Sequence, residues 1–457
     1  MDRSCRATAV VLLLVLGGCA AVQLPSPAAP DVPRASSVAE QAFHADPDRI
    51  LERLEALQAI ADEHGGIRFA GTPGYEASVD YAAGELRALG FEVATPEVEF
   101  RGFSELPGAE LRVGDRTFEA PDDLHALIYS PGGEVTGPVA VLADSGCEPG
   151  DFDRVEAGSV VLTTRGGCLR RQQAINAADA GAAALVVGYP DRGPGEIFRP
   201  TLIDPGGITI PVISVTDAAV RALQDAAGDP VRLAVATERE PATLRNVIAD
   251  MGDGPTLIVL GGHLDSVLEG PGINDNGSGV AALLEVARGL AAGGVPEGAT
   301  VRIGLWGGEE LGTVGSTAHV EALEVEPIAY LNLDMAGSIN GANLVYDEAT
   351  AAEGSATITA AFERWFASEG EPTDRVDLGG SSDQYPFAAA GIPTGGLFAG
   401  ATESGTAARP ESSAGSAGPA DRCYHLGCDD LDNVDLERVA LFAEATFAVA
   451  HELLVNH

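Results

Sequence analysis

Five short stretches of this chain, each following an apolar run, end in side chains able to hold a divalent metal: His263-Leu-Asp265, Asp275, Glu309-Glu310, Asp334 and His425. Imidazole nitrogen and carboxylate oxygen are ligands that zinc takes, and an adjacent Glu-Glu pair can supply a ligand and a neighbouring base together. The set points to a two-zinc hydrolytic site. Asp275 lies in Gly272-Ile-Asn-Asp-Asn-Gly-Ser-Gly279, whose glycines let the backbone fold tightly around an ion. His425 lies in Cys423-Tyr-His-Leu-Gly-Cys428, where a small disulfide loop would restrain a ligand otherwise carried on coil.

The elements that must position these residues follow from hydrophobic periodicity. Ile50, Leu51, Leu54, Leu57 and Ile60 recur at helical spacing over Asp48 to Asp62. A second helix is predicted over Tyr75 to Leu89, after a turn at Gly71-Thr-Pro-Gly74, and a strand over Phe91 to Val93 after the stop at Gly90. Beyond Asn246, strands and helices alternate. Thr256 to Leu260 precedes a helix over Val280 to Leu290, and Val301 to Leu305 precedes one over Thr317 to Leu323. Ala329 to Asn332, a helix over Thr357 to Phe366, a strand over Pro393 to Leu397 and a closing helix over Leu436 to Leu454 complete the series. Such alternation predicts an α/β fold with a mixed, mostly parallel sheet flanked by helices, in which ligands gather where strands end. His263 and Asp265, Glu309 and Glu310, and Asp334 all fall just after strands, on one edge of one sheet.

The chain as a whole has room for two domains. It has 457 residues, 45% of them hydrophobic and 5% aromatic, a composition suited to ordinary globular cores. Acidic residues number 68 against 27 basic ones, every one of them Arg, for a formal net charge of −41. That balance argues against a nucleic-acid partner, because a phosphate backbone rewards a cationic face. It fits a solvated acidic surface, or else adaptation to high salt, where screening relieves self-repulsion. Gly400 to Asp421 is rich in Gly, Ser and Ala and reads as a mobile loop.

At the N-terminus, Arg3 and Arg6 precede the apolar stretch Ala7 to Leu16, which runs into Leu16-Gly-Gly-Cys19. This resembles a bacterial lipoprotein signal with its lipobox. The resemblance implies removal of residues 1–18, acylation of Cys19, a Pro/Ala/Ser-rich tether over 19–39 and an exported cell-envelope lipoprotein that meets the membrane only through its lipid. With Cys5 lost and Cys19 lipidated, four cysteines remain, an even number outside the cytoplasm that favours disulfides. Sequence order pairs Cys147 with Cys168 and Cys423 with Cys428. A cysteine zinc site is the alternative, although Cys-x-x-Cys knuckles are missing.

Between about Leu106 and Thr237 the texture changes to short Val/Leu/Ile runs, such as Val139 to Leu142 and Val160 to Leu162, with an Ala-rich helix over Gln172 to Ala180 leading into Ala182 to Val187. Gly166-Gly-Cys168, Asn176-Ala-Ala178 and Ala180-Gly-Ala182 resemble the protease-associated (PA) domain. That resemblance implies a β-rich, non-catalytic module serving as a lid or interaction surface. The resulting division is 40–105 and 238–457 for one domain, with 106–237 inserted.

The segments His263-Leu-Asp265, Gly272 to Gly279, Trp306-Gly-Gly-Glu-Glu310, Asn332-Leu-Asp334 and Cys423-Tyr-His425, with Gly71-Thr-Pro-Gly-Tyr75, together resemble the M28 zinc aminopeptidases, especially secreted bacterial leucyl-type enzymes with a PA insert. The resemblance implies two Zn²⁺ bridged by Asp275. His263 and Asp334 would complete one ion and Glu310 and His425 the other. Glu309 would act as general base, Asp265 would orient His263, and Tyr424 would donate to the oxyanion. Three ligand carboxylates against four metal charges leave about one net positive charge to favour ionisation of water, whose pKa zinc can bring from 15.7 to about 7. Many relatives read Gly-Arg-Ser-Asp followed by His or Tyr where this chain has Gly380-Ser-Ser-Asp-Gln384, a segment beside the family's substrate pocket, so side-chain preference stays open. Asn276-Gly-Ser278 also fits an N-glycosylation pattern, but it overlaps the metal loop of a chain whose export signal is bacterial.

The expected activity is removal of N-terminal residues, apolar ones such as Leu, from peptides. A carboxypeptidase of the same superfamily is the rival, and a non-catalytic scaffold on this fold a third reading. A free amine suits an acidic rim, whereas a carboxylate calls for an Arg cluster, and Arg is sparse near the motifs. A scaffold would have lost a ligand or the base, and none is lost.

Overall fold

In this computed structural model, residues 43–190, 193, 195–204, 206–347, 352–402 and 419–457 are described. The signal segment, Cys19, the tether and most of the Gly/Ser/Ala-rich segment lie outside them.

Two helices open the described chain. Pro47–Glu63 begins at Asp46, whose side chain accepts the Asp48 N–H, and Pro47 occupies the first turn, where a missing N–H costs nothing. Its buried stripe includes Ile50, Leu54 and Leu57. The second helix, Pro73–Ala88, starts two residues earlier than expected, because Thr72 is its cap and accepts the Tyr75 N–H. The Gly71–Gly74 turn is thus a helix start. Gly71 has a positive φ of 83° and Pro73 presets the first helical dihedral.

The larger sheet has eight strands in the order Glu92–Ala94, Val247–Gly252, Ala299–Trp306, Thr256–His263, Ala329–Asp334, Thr394–Phe398, Leu344–Tyr346 and Asp374–Val376. The four strands from Ala299–Trp306 to Thr394–Phe398 run parallel, and antiparallel pairings flank them, so the sheet is mixed with a parallel centre. Both faces are covered. On Thr256–His263, Ile258 and Leu260 point into the main core, whereas Leu257 and Val259 join Trp306, Tyr330 and Phe387 on the opposite face, the period of two that a doubly covered strand requires. Helices Pro47–Glu63, Gly279–Gly293 and Leu436–Asn456 pack together in one layer, and Val314–Glu321 packs with Gln384–Ala389 in another. Leu436–Asn456 is long and apolar enough to cross a bilayer, yet half of it is buried in this layer.

Three strands of this sheet are not marked in the sequence. Val247–Gly252 carries Asp250 in its middle, which interrupts the apolar run, while Leu344–Tyr346 and Asp374–Val376 are too short to show a period.

A second eight-stranded sheet lies between Glu110 and Val235 in the chain. Its strands Gly133–Val141, Val160–Thr164, Ala184–Gly188 and Val212–Val215 run parallel and its remaining pairings are antiparallel, with helices Arg170–Asp179 and Asp217–Asp225 attached. The Cys147–Cys168 disulfide is formed within it. The chain enters and leaves this unit along one antiparallel ribbon. Glu105 pairs with Thr237, Arg101 with Pro241, Glu97 with Arg245, and Ala94 with Ile248, one register carried from the insert to the edge of the larger sheet.

Close packing fixes the strand that delivers the Glu309-Glu310 pair. The Trp306 ring lies back over Gly304, where a Cβ would stand 2.0 Å from a ring carbon. In that position it stacks on His319 at 4.7 Å and its Nε1 donates to the Tyr330 hydroxyl at 3.0 Å. Gly304→Ala is therefore expected to destabilise the protein by about 1–3 kcal/mol through overpacking. Urea denaturation measures this, and an unchanged midpoint would refute the packing argument.

Candidate metal centre and active site

The parallel centre of the sheet places three of the five ligand candidates on one edge. His263 ends its strand, Asp334 ends the neighbouring one, and Glu310 follows the third after the turn Gly307-Gly308. That turn needs glycine at both positions. A Cβ on Gly307 would stand 2.1 Å from the Tyr75 hydroxyl, and Gly308 has a φ of 73°. Asp275 reaches the same edge from the irregular turn Ile273–Ser278 that opens helix Gly279–Gly293. His425 arrives from coil, inside the Cys423–Cys428 disulfide, with a left-handed φ of 58°.

Asp275 divides its carboxylate between two groups. Its Oδ1 is 3.2 Å from His263 Nε2, which is 3.4 Å from Asp334 Oδ1. Its Oδ2 is 3.1 Å from His425 Nε2, which is 3.3 Å from Glu310 Oε2. His263, Asp275 and Asp334 can therefore converge on one ion, and Asp275, Glu310 and His425 on another. Glu309 forms a third grouping with His263 and Glu310. The donor chemistry fits zinc, and Asp334 Oδ1 and Glu310 Oε1 are buried oxygens with no hydrogen-bond partner among the described residues, as donors reserved for a cation would be.

Further residues hold these donors in place. His263 Nδ1 lies 3.1 Å from the Asp265 carbonyl and 3.7 Å from its carboxylate. That carboxylate instead accepts the Glu309 N–H at 3.2 Å. Ser382 donates to Asp334 Oδ2 at 2.7 Å and accepts from Asn332, whose side-chain Oδ1 accepts a hydrogen bond from the Tyr330 hydroxyl. Asp429 accepts the backbone N–H groups of Asn274 and Asp275. Arg68 is fully buried and donates to the carbonyls of Leu264, Pro271 and Gly272, tying together both ends of the loop between His263 and Asp275. Asn276, the glycosylation candidate, is buried and donates to the Leu333 carbonyl at 2.9 Å. Arg68 and Asp429 stand outside every motif of the sequence, and Asp383 enters it only within the departure from the family pattern. None carries a spacing signal. Asp429 follows Cys428 directly, so the tight loop was the one clue to it. Tyr424 packs its ring 3.9 Å from that of His425.

Burial and crowding perturb the titrating groups. His425 is raised to about 10, with burial opposing and Glu310 and Asp275 outweighing it. His263 is likewise raised, against burial, by Asp334, Asp265 and Asp275. Burial would raise Asp275, yet the hydrogen bonds from both imidazoles hold it below the carboxylate range. Glu309 is pushed well up by burial, with Glu310 and Asp383 adding to the rise, and Glu310 is pushed up to about 7 by burial and Asp275 against the pull of His425. Acids here outnumber cations, and divalent metal would correct that deficit.

Residues 246–450 match peptidase family M28, and residues 135–223 match the PA domain. The chain is 39% identical over 411 residues to the probable lipoprotein aminopeptidase LpqL of Mycobacterium tuberculosis, a match covering 85% of this chain and 81% of LpqL. The chain belongs to peptidase family M28. It is also 33% identical over 400 residues to probable leucine aminopeptidase 2 of Aspergillus fumigatus, across 84% of this chain and 78% of that protein. Among solved structures, the M28 chain resembles BSAP, a zinc aminopeptidase from Bacillus subtilis, with a TM-score of 0.68 and 25% identity, covering 90% of this chain and 95% of that one.

Asp383 is fully buried, accepts one hydrogen bond from Ser316 at 2.6 Å, and is raised to about 7 by burial, with Asp334 and Asp265 adding to the rise. An acid whose folded pKa exceeds its unfolded value of about 3.9 stabilises the fold below that value and loses its contribution as pH rises towards the folded pKa. In chelator-treated protein, Asp383→Asn should therefore raise the melting temperature at pH 7.5 relative to wild type. The gain should vanish below about pH 4, and a difference independent of pH would refute the assignment.

Proposed function

We propose that this peptidase is a zinc-dependent aminopeptidase whose two ions share Asp275, with His263 and Asp334 completing one ligand set and Glu310 and His425 the other. The division of one carboxylate between two imidazole-acid pairs is the observation that carries this reading. Zinc bound there supplies polarisation of the scissile carbonyl and acidification of water. Glu309 belongs to neither Asp275 set and keeps some exposure, so it serves as general base, taking the water proton and returning it to the leaving amine. Asp265 fixes the backbone of that base through the Glu309 N–H and sits beside His263 Nδ1. Burial pushes the Tyr424 hydroxyl well up, so it keeps its proton and donates towards the developing oxyanion.

Substrate polarity follows from charge. The site is lined by acids, and Arg68 is already committed to three backbone carbonyls, which suits a substrate's free amine better than its carboxylate. Met335, Leu344, Tyr346 and Phe398 form an apolar cluster against which Leu378 and Tyr424 pack, next to Asp334 and His425, in keeping with an apolar N-terminal residue such as Leu. The names of the relatives in Aspergillus and Mycobacterium support a leucyl preference and a lipoprotein, respectively. The same reading takes 106–237 as the PA insert and the chain as an exported lipoprotein anchored through Cys19.

Incubation with Leu-initiated peptides, their N-acetylated forms and their C-terminally amidated forms tests the polarity. Cleavage should disappear on acetylation alone, and loss on amidation alone would make the protein a carboxypeptidase. Glu309→Gln should lower kcat by about 10²–10⁴-fold with zinc content unchanged, whereas Asp275→Ala should lose metal by elemental analysis. Full activity in Glu309→Gln would eliminate it as the base.

A further inference from the structure

We propose that Phe198, from the inserted domain, is the positioning residue of His425, so that docking of the insert selectively sets how tightly the Asp275, Glu310 and His425 group holds its ion. This rests on the two-ion reading above.

Metal-binding imidazoles are as a rule oriented by a hydrogen bond from the second ring nitrogen. His263 conforms, its Nδ1 lying 3.1 Å from the Asp265 carbonyl. His425 does not. Its Nδ1 is buried without a hydrogen-bond partner among the described residues, and its backbone is coil in the left-handed region. Aromatic rings hold it instead. Phe198 stacks on the His425 ring at 5.2 Å with 26° between planes, Tyr424 lies 3.9 Å from it, and Tyr189 of the insert backs Phe198 edge-on at 5.1 Å.

The insert is held to both sides of this one ligand set. Next to Phe198, Arg199 donates to Glu269 at 2.5 Å and to Glu105 at 3.1 Å. Glu269 precedes Gly270, which presses so close to the disulfide loop that a Cβ there would stand 2.4 Å from the Leu426 carbonyl oxygen. Further along, Thr201 donates to the Leu311 carbonyl, and a Cβ on Gly312 would meet Ile203 at 3.0 Å. Residues 198–203 therefore touch the immediate neighbours of both His425 and Glu310. His263 and Asp334, by contrast, sit on the ends of central strands and are held by Asp265 and Ser382.

The test is zinc release from the full-length, zinc-loaded protein to a competing chelator, read as ions per chain rather than as activity. Phe198→Ala should release one ion about tenfold more readily and leave the other as in wild type. Phe198→Tyr, which keeps the ring, should restore both, and Phe198→Leu, which keeps apolar bulk without the ring, should not. Wild-type release in Phe198→Ala or Phe198→Leu, or equal loosening of both ions, overturns the proposal. A wild-type protein that holds fewer than two ions overturns the two-ion reading itself, and this proposal with it.

Discussion

The structure depends on gathering carboxylates where water is scarce. Asp265, Asp275, Glu310, Asp334, Asp383, Asp421 and Asp429 are all buried, with Glu309 beside them, and among the described residues that offset them are His263, His425 and Arg68. Taking an ion out of water costs several kcal/mol unless charge and hydrogen bonds replace the solvent. The fold meets that cost with fixed donors. Ser382 serves Asp334, Ser316 serves Asp383, the Glu309 N–H serves Asp265, and Asn274 and Asn433 serve Asp421. Burial holds Arg68 down to about 10 against the pull of Asp265, Asp429 and Asp275. Metal is then less an addition to a finished site than the charge its geometry lacks.

How much of this could be read from the chain depended on how local each signal was. That His263, Glu310 and Asp334 share one edge was legible because parallel strands put their carboxyl ends there, His263 and Asp334 ending their strands and Glu310 following the Gly307-Gly308 turn. Asp275 and His425 were legible through a glycine-rich loop and a pair of close cysteines, both visible as short patterns. Asp429, Arg68 and Asp383 act across long sequence separations on backbone or side-chain groups, and single polar residues give no period. The strand Val247–Gly252 was hidden by Asp250, which is part-buried and paired with Arg302 on the neighbouring strand, a partner visible only once register is known. The helix start at Pro73 is hard to separate from the Gly71–Gly74 turn because Thr72 and Pro73 serve a helix start as readily as a turn.

The inserted domain changes the meaning of the disulfide loop. A side chain carried on coil, as His425 is, is expensive to order, since each fixed residue costs about 1–2 kcal/mol of backbone entropy. Here the order comes from three separate parts of the chain meeting at one place: the Cys423–Cys428 bond, the Glu269-Gly270 segment and the aromatic residues of the insert. Strand ends hold His263 and Asp334, and contacts with the insert hold His425.

The ribbon at the base of the insert bears on how the chain assembles. Roughly 150 residues separate the edge strand Glu92–Ala94 from its partner, and closing a loop of that length costs about 4 kcal/mol beyond the constant part of the closure term. If the insert forms first, its closure joins Glu105 to Thr237, and every later pair down to Glu92 and Asp250 extends a ladder already begun. The edge of the peptidase sheet then closes like a zipper whose slider is the insert, and the long interruption in the sequence becomes a short one in space.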